Sequence, residues 1–89
     1  MTNQQHLALM DKIIRELDDL KNSQTAVLKK IAQVEADNIN LGSKNLEEGL
    51  PGIHEEVDDA VQKVTAILEQ FQEERDQWAQ QNPVTEEQA

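Results

Sequence analysis

The sequence predicts an all-α chain: two long amphipathic helices, about residues 3–41 and 53–81, forming a helical hairpin or coiled coil that assembles into an oligomeric bundle. Three observations predict it. Apolar residues recur at spacings of three and four through both halves of the chain, as a helix with one buried stripe requires. No Gly or Pro interrupts residues 2–41, whereas all three glycines and one of the two prolines fall within 42–52, which marks a hinge. The 89 residues hold no cysteine and only Phe71 and Trp78 as aromatics, so a chain this small has neither disulfides nor a large aromatic core to stabilise it.

The first helix is the more regular. Met10, Ile13, Leu17, Leu20, Gln24, Val27, Ile31, Val34, Asn38 and Leu41 follow one another in alternating steps of three and four. Met10, Leu17, Gln24, Ile31 and Asn38 occupy heptad position a; Ile13, Leu20, Val27, Val34 and Leu41 occupy position d. Thr2 with Gln5 fits a capping box, which starts the helix close to the N-terminus. Gly42 is placed to end it as the residue after the C-cap. At 1.5 Å per residue such a helix is roughly 58 Å long, a length ordinary for a coiled coil and unusual in a compact domain.

The second stripe runs through Leu50, Ile53, Val57, Ala60, Val64, Ile67, Phe71, Glu74 and Trp78, and Val61 and Leu68 widen it. Glu55, Glu56, Asp58 and Asp59 crowd its expected first turns, where the helix dipole favours negative charge. Asn82-Pro83 ends it, because a residue before proline avoids helical angles. Residues 1–82 therefore read as one helical domain with a hinge at 42–52, and 83–89 as a polar tail.

Charge narrows the function. The chain carries 18 acidic and 8 basic residues, a formal net charge of −10. Clustered positive charge is what a phosphate backbone or an anionic membrane recruits, so neither direct nucleic-acid binding nor membrane binding is expected. No signal peptide and no apolar run of about 20 residues is visible; the expectation is a soluble chain, cytoplasmic or held within an assembled particle. The acidity is concentrated in residues 53–82, which carry eight acidic and two basic residues, whereas residues 4–41 carry six and five.

No catalytic, cofactor or metal site is expected. Asp37, Gly42 and Glu48 match positions 1, 6 and 12 of a calcium-binding loop, but Ile39 and Leu41 stand where oxygen ligands are needed. His54-Glu55-Glu56 lacks the second histidine of a zinc-protease helix, since position 58 is Asp. The adjacent carboxylates, such as Asp18-Asp19 and Glu73-Glu74, point about 100° apart on a helix, and nothing separates their acidities. His6 and His54 read as solvated or capping side chains.

Association is what the pattern favours. Leu7, Ile14 and Leu28 flank the first stripe, so each helix is apolar over a wider arc than one partner helix covers. A dimer of hairpins would make a four-helix bundle, and a trimer a six-helix bundle. The expected oligomer core is Met10, Ile13, Leu17, Leu20, Val27, Ile31, Val34, Leu41, Val57, Val64, Ile67, Leu68 and Phe71. Gln24 and Asn38 form polar layers that fix register and partner number, or else lie at the solvent edge of the seam. Glu16 with Lys21 and Lys30 with Glu35 stand at g and e positions, as attractive pairs between parallel first helices do. Trp78, seven residues after Phe71, either closes the end of the bundle or anchors another protein.

The general look resembles small coiled-coil components of phage particles and secretion machines, on heptads, acidity and absence of cysteine rather than on a motif. The expected function is a non-enzymatic structural or assembly protein whose partner is itself. Two alternatives involve another protein. One is an acidic inhibitor, antitoxin-like, whose Glu55, Asp59, Glu69, Glu73 and Asp76 imitate a phosphate backbone. The other is a helical chaperone that receives a partner's amphipathic helix between its own.

Overall fold

The computed structural model describes residues 1–83; residues 84–89 of the expected polar tail lie outside the described residues. Helix α1 spans Asn3–Leu41 and helix α2 spans Lys44–Gln81, and the two pack side by side as an extended hairpin. The molecule measures 65 × 17 × 16 Å with a radius of gyration of 19.7 Å; a compact chain of this length would have a radius of about 12 Å.

The ends of α1 follow from local chemistry. Thr2 Oγ1 accepts the Gln5 N–H at 3.1 Å, and the Thr2 N–H donates to Gln5 Oε1 at 2.9 Å, so two N–H groups left over by the first turn are satisfied together. At the other end Gly42 adopts φ 72° and ψ 29°, and its N–H donates to the Asn38 carbonyl at 2.7 Å. A side chain would disfavour that left-handed conformation by about 1–2 kcal/mol, which is why glycine stands there.

The expected start of the second helix at residue 53 and the hinge over 42–52 are corrected by the structure. The connection is Gly42-Ser43 alone, and α2 begins at Lys44 with Ser43 as its N-cap and Pro51 inside it. Pro51 has no N–H to give the Glu47 carbonyl, and glycines at 49 and 52 add a conformational cost, together a few kcal/mol. Tertiary packing outweighs them. Leu46 and Leu50 are half-buried one turn apart, so continuing the helix through 44–52 lays two leucines beside α1. At its far end α2 stops as expected: Asn82 is the C-cap, with its side-chain amide donating to the Trp78 carbonyl at 3.0 Å.

The seam between the helices uses a different set of positions from the sequence stripe. On α1 the protected residues include Met10, Ile14, Leu17, Lys21, Gln24, Leu28, Ile31, Glu35 and Asn38; on α2 they include His54, Val57, Val61, Val64, Leu68, Phe71, Arg75 and Trp78. These are heptad positions a and e. Among the described residues only Met10, Ile31, Leu68 and Asn38 are buried, and none is completely enclosed. A layer of two helices has no interior, so each seam residue keeps one edge in water.

Candidate functional site

Position d is left outside the hairpin. Leu20, Val27, Val34, Ile53 and Ile67 are 44–53 % exposed, and Leu41 at the end of α1 is 74 % exposed. Ile13 and Ala60, on the same two stripes, are half-buried. Leu9, also exposed, extends the apolar surface toward the open end of the hairpin. Residues expected in the oligomer core thus fall into two sets. Met10, Leu17, Ile31, Val57, Val64, Leu68 and Phe71 lie in the seam, whereas Ile13, Leu20, Val27, Val34, Leu41 and Ile67 lie beside it.

The two outer stripes share one face. Val27 follows the seam residue Gln24 by three positions and precedes the seam residue Leu28 by one. Ala60 stands in the same relation to Val57 and Val61. Two antiparallel helices are related by an approximate two-fold axis normal to the plane they define, so equal offsets from the seam point to the same side. The contacts Asp11–Arg75 and Glu35–His54 bracket the register. Leu20 is level with Ile67, Val27 with Ala60 and Val34 with Ile53. One flat side of the hairpin is therefore a ladder of three aliphatic pairs, closed toward the open end by Ile13 level with the exposed Glu74, while the opposite side carries Asp11, Asp18, Thr25, Ala32, Asp58, Thr65 and Gln72, with Ile39 exposed near the turn.

The polar groups in the seam serve the hairpin itself. Asn38 Nδ2 donates to the Ser43 carbonyl at 3.1 Å, and Asn38 Oδ1 accepts the Ser43 N–H at 2.9 Å. This side chain clasps the turn, a role the heptad register did not suggest; its spacing to the Gly42-Ser43 pair was the available signal. Gln24, the other expected polar layer, is half-buried with its Oε1 enclosed and unpartnered. His54 Nδ1 lies 2.6 Å from Glu35 Oε1, and His6 stacks on Trp78 with ring centroids 4.1 Å apart. Both histidines, expected as solvated or capping side chains, are half-buried and have a partner across the hairpin, and the exposed part of Trp78 is what remains after His6 covers one face. Arg75 donates from Nε to Asp11 at 2.8 Å and from Nη1 to Asp76 at 3.1 Å. Hydrogen bonding to Asp11 first, then to Asp76, raises its pKa further, so it stays charged at every working pH.

Two expected ion pairs are redirected. Lys21 and Glu35 stand at position e, which faces α2. They do not lie on an outer rim where Glu16 and Lys30 of a parallel first helix would meet them. Lys30 and Glu56 are exposed, and among the described residues neither takes part in an ion pair.

Other features offer less. Glu55, Asp59, Glu69, Glu73 and Asp76 are all exposed on the outer side of α2, with Gln62 and Ala66 interrupting them. A recess beside the turn is lined by Glu35, Asn38, Ile39, Leu46, Glu47, Leu50 and Pro51. Among the described residues no group of three or more His, Asp or Glu gathers closely enough to hold a metal ion, and no helix is long and apolar enough to cross a membrane. The chain matches no family model, no curated protein and no solved structure.

Proposed function

We propose that the chain is a self-associating helical assembly module, with the aliphatic ladder as its association surface. The observation that supports this reading is the division of the apolar stripe. A helix in a four-helix bundle turns positions a, d and e inward. The hairpin covers a and e, and d stays in water in Leu20, Val27, Val34, Ile53 and Ile67 alike.

The magnitudes favour association without making it strong. Fully burying an aliphatic side chain is worth about 1.5–3 kcal/mol, so covering the exposed half of each of these five yields roughly 4–7 kcal/mol per chain. Two chains together gain about twice that, against an association cost of about 4–15 kcal/mol. The same coverage encloses the open edges of Met10, Ile31 and Leu68. Folding and association are then coupled, as in dimers whose separate protomers are barely stable.

Thermal unfolding at two protein concentrations a hundredfold apart tests the reading. Self-association requires the melting temperature to rise with concentration. A melting temperature independent of concentration would contradict it and would favour the inhibitor and chaperone readings, in which the free chain is a monomer.

A further inference from the structure

Resting on that reading, we infer that the occupant of the aliphatic face is one second copy of this chain, docked with the two Gly42-Ser43 turns at the same end. Each α1 then lies against the partner's α2 in an antiparallel four-helix bundle.

Two hairpins can join these faces in two symmetric ways, because a closed dimer has a two-fold axis. With the axis along the hairpin, α1 packs on the partner's α2 and the turns coincide. With the axis across the hairpin, α1 packs on the partner's α1, α2 on the partner's α2, and the turns lie at opposite ends. The ladder alone admits both. Charge distinguishes them.

Residues 53–82 hold eight acidic and two basic residues, while residues 4–41 are close to balance with six and five. The crossed arrangement sets two strongly acidic helices side by side along their length. The coincident arrangement places each acidic helix between two near-neutral ones and puts the acidic pair on the diagonal. Like charges at helix–helix interfaces select against a pairing.

The rim residues agree. On both helices the position just outside the ladder is the one before a seam residue: Glu16, Ser23, Lys30 and Asp37 on α1, and Glu56, Lys63, Gln70 and Gln77 on α2. With the turns together, the intramolecular register carries over between chains. Leu20 meets the partner's Ile67, Val27 the partner's Ala60 and Val34 the partner's Ile53, while Ile13 meets the partner's Glu74 at the open end, where that carboxylate reaches water. Lys30 then meets the partner's Glu56 at both symmetric rims, and no like-charged rim pair forms. With the turns apart, Glu56 meets the partner's Lys63, which Asp59 already holds at 3.0 Å, and Glu16 faces the partner's Asp37. Small and large residues also fit better when the turns coincide, because Val27 fills the space at the partner's Ala60 instead of leaving two alanines opposed.

The cysteine-free sequence makes the test direct. Asn45, exposed next to the turn, is changed to Cys and spin-labelled in the full chain, and the label-to-label distance is measured by pulsed dipolar spectroscopy after light scattering has counted the copies. Coincident turns predict two copies and a distance below about 30 Å, two to three helix diameters. A distance approaching the 65 Å length of the hairpin overturns the arrangement while leaving self-association standing. Three copies would overturn it in the same way. A labelled chain that stays monomeric overturns both this inference and the function it rests on. Two substitutions at exposed positions assign the face: Val27→Asp on the ladder abolishes the dipolar signal and, because folding and association are coupled, lowers the melting temperature, whereas Ile39→Asp on the opposite side leaves both unchanged. Equal effects of the two would contradict the assignment of the face.

Discussion

Two isoleucines eight residues apart on α1 give the sharpest prediction about the seam. Ile31 is 8 % exposed and Ile39 is 83 % exposed, yet sequence context distinguishes them only by heptad position. Truncating Ile31 to Ala removes three carbons, about 2.4 kcal/mol at ~0.8 kcal/mol each. A rigid core would add a cavity penalty that brings such losses to about 2–5 kcal/mol. Here the layer is thin and its neighbours relax easily, so the loss is expected near the lower bound, ~2–3 kcal/mol. Ile39→Ala forfeits almost no burial and gains slightly in helix propensity, so it should change stability by less than about 0.5 kcal/mol. Urea unfolding followed by circular dichroism at 222 nm, at one fixed protein concentration, measures both. A loss below about 0.5 kcal/mol for Ile31→Ala, the level of an ordinary surface substitution, would refute the seam register.

Further substitutions probe the polar and irregular positions. Asn38→Ala removes both hydrogen bonds to the Ser43 backbone at a buried site and should cost about 1–3 kcal/mol, read by the same unfolding curves. Gln24→Leu replaces an enclosed, unpartnered oxygen with aliphatic surface and should raise stability by about 1 kcal/mol; a loss would mean that a water or another group satisfies the amide. Pro51→Ala restores the N–H that the Glu47 carbonyl lacks and should raise the melting temperature, by an amount corresponding to at most ~3 kcal/mol. A lower melting temperature for that variant would show that the proline sets a bend the packing needs.

Much of the fold was legible because its signals are local. Thr2 and Gln5 define the start of α1, Gly42 its end, and Asn82-Pro83 the end of α2. The start of α2 was not legible, since Gly49, Pro51 and Gly52 are breakers by every local rule. What overrides them is the lodging of Leu46 and Leu50 beside α1, a tertiary effect that no window of the sequence contains. The candidate site was half legible. The a and d stripe and the apolar residues flanking it could be read directly, but either flank of position a can serve a hairpin, and only the structure shows that a and e do. That choice sends Lys21 and Glu35 inward and leaves Leu20, Val27 and Val34 outside. The role of Asn38 was hidden for a related reason: a heptad describes the rod and says nothing about the turn at its end.

The self-association proposed above covers the exposed ladder with further copies of the chain. Absolute mass by light scattering on a size-exclusion column, at two loading concentrations, tests it most directly. Self-association gives a species of twice the 10.1 kDa chain mass whose share grows with loading. A single species of 10.1 kDa at both loadings, with helicity intact, would contradict it.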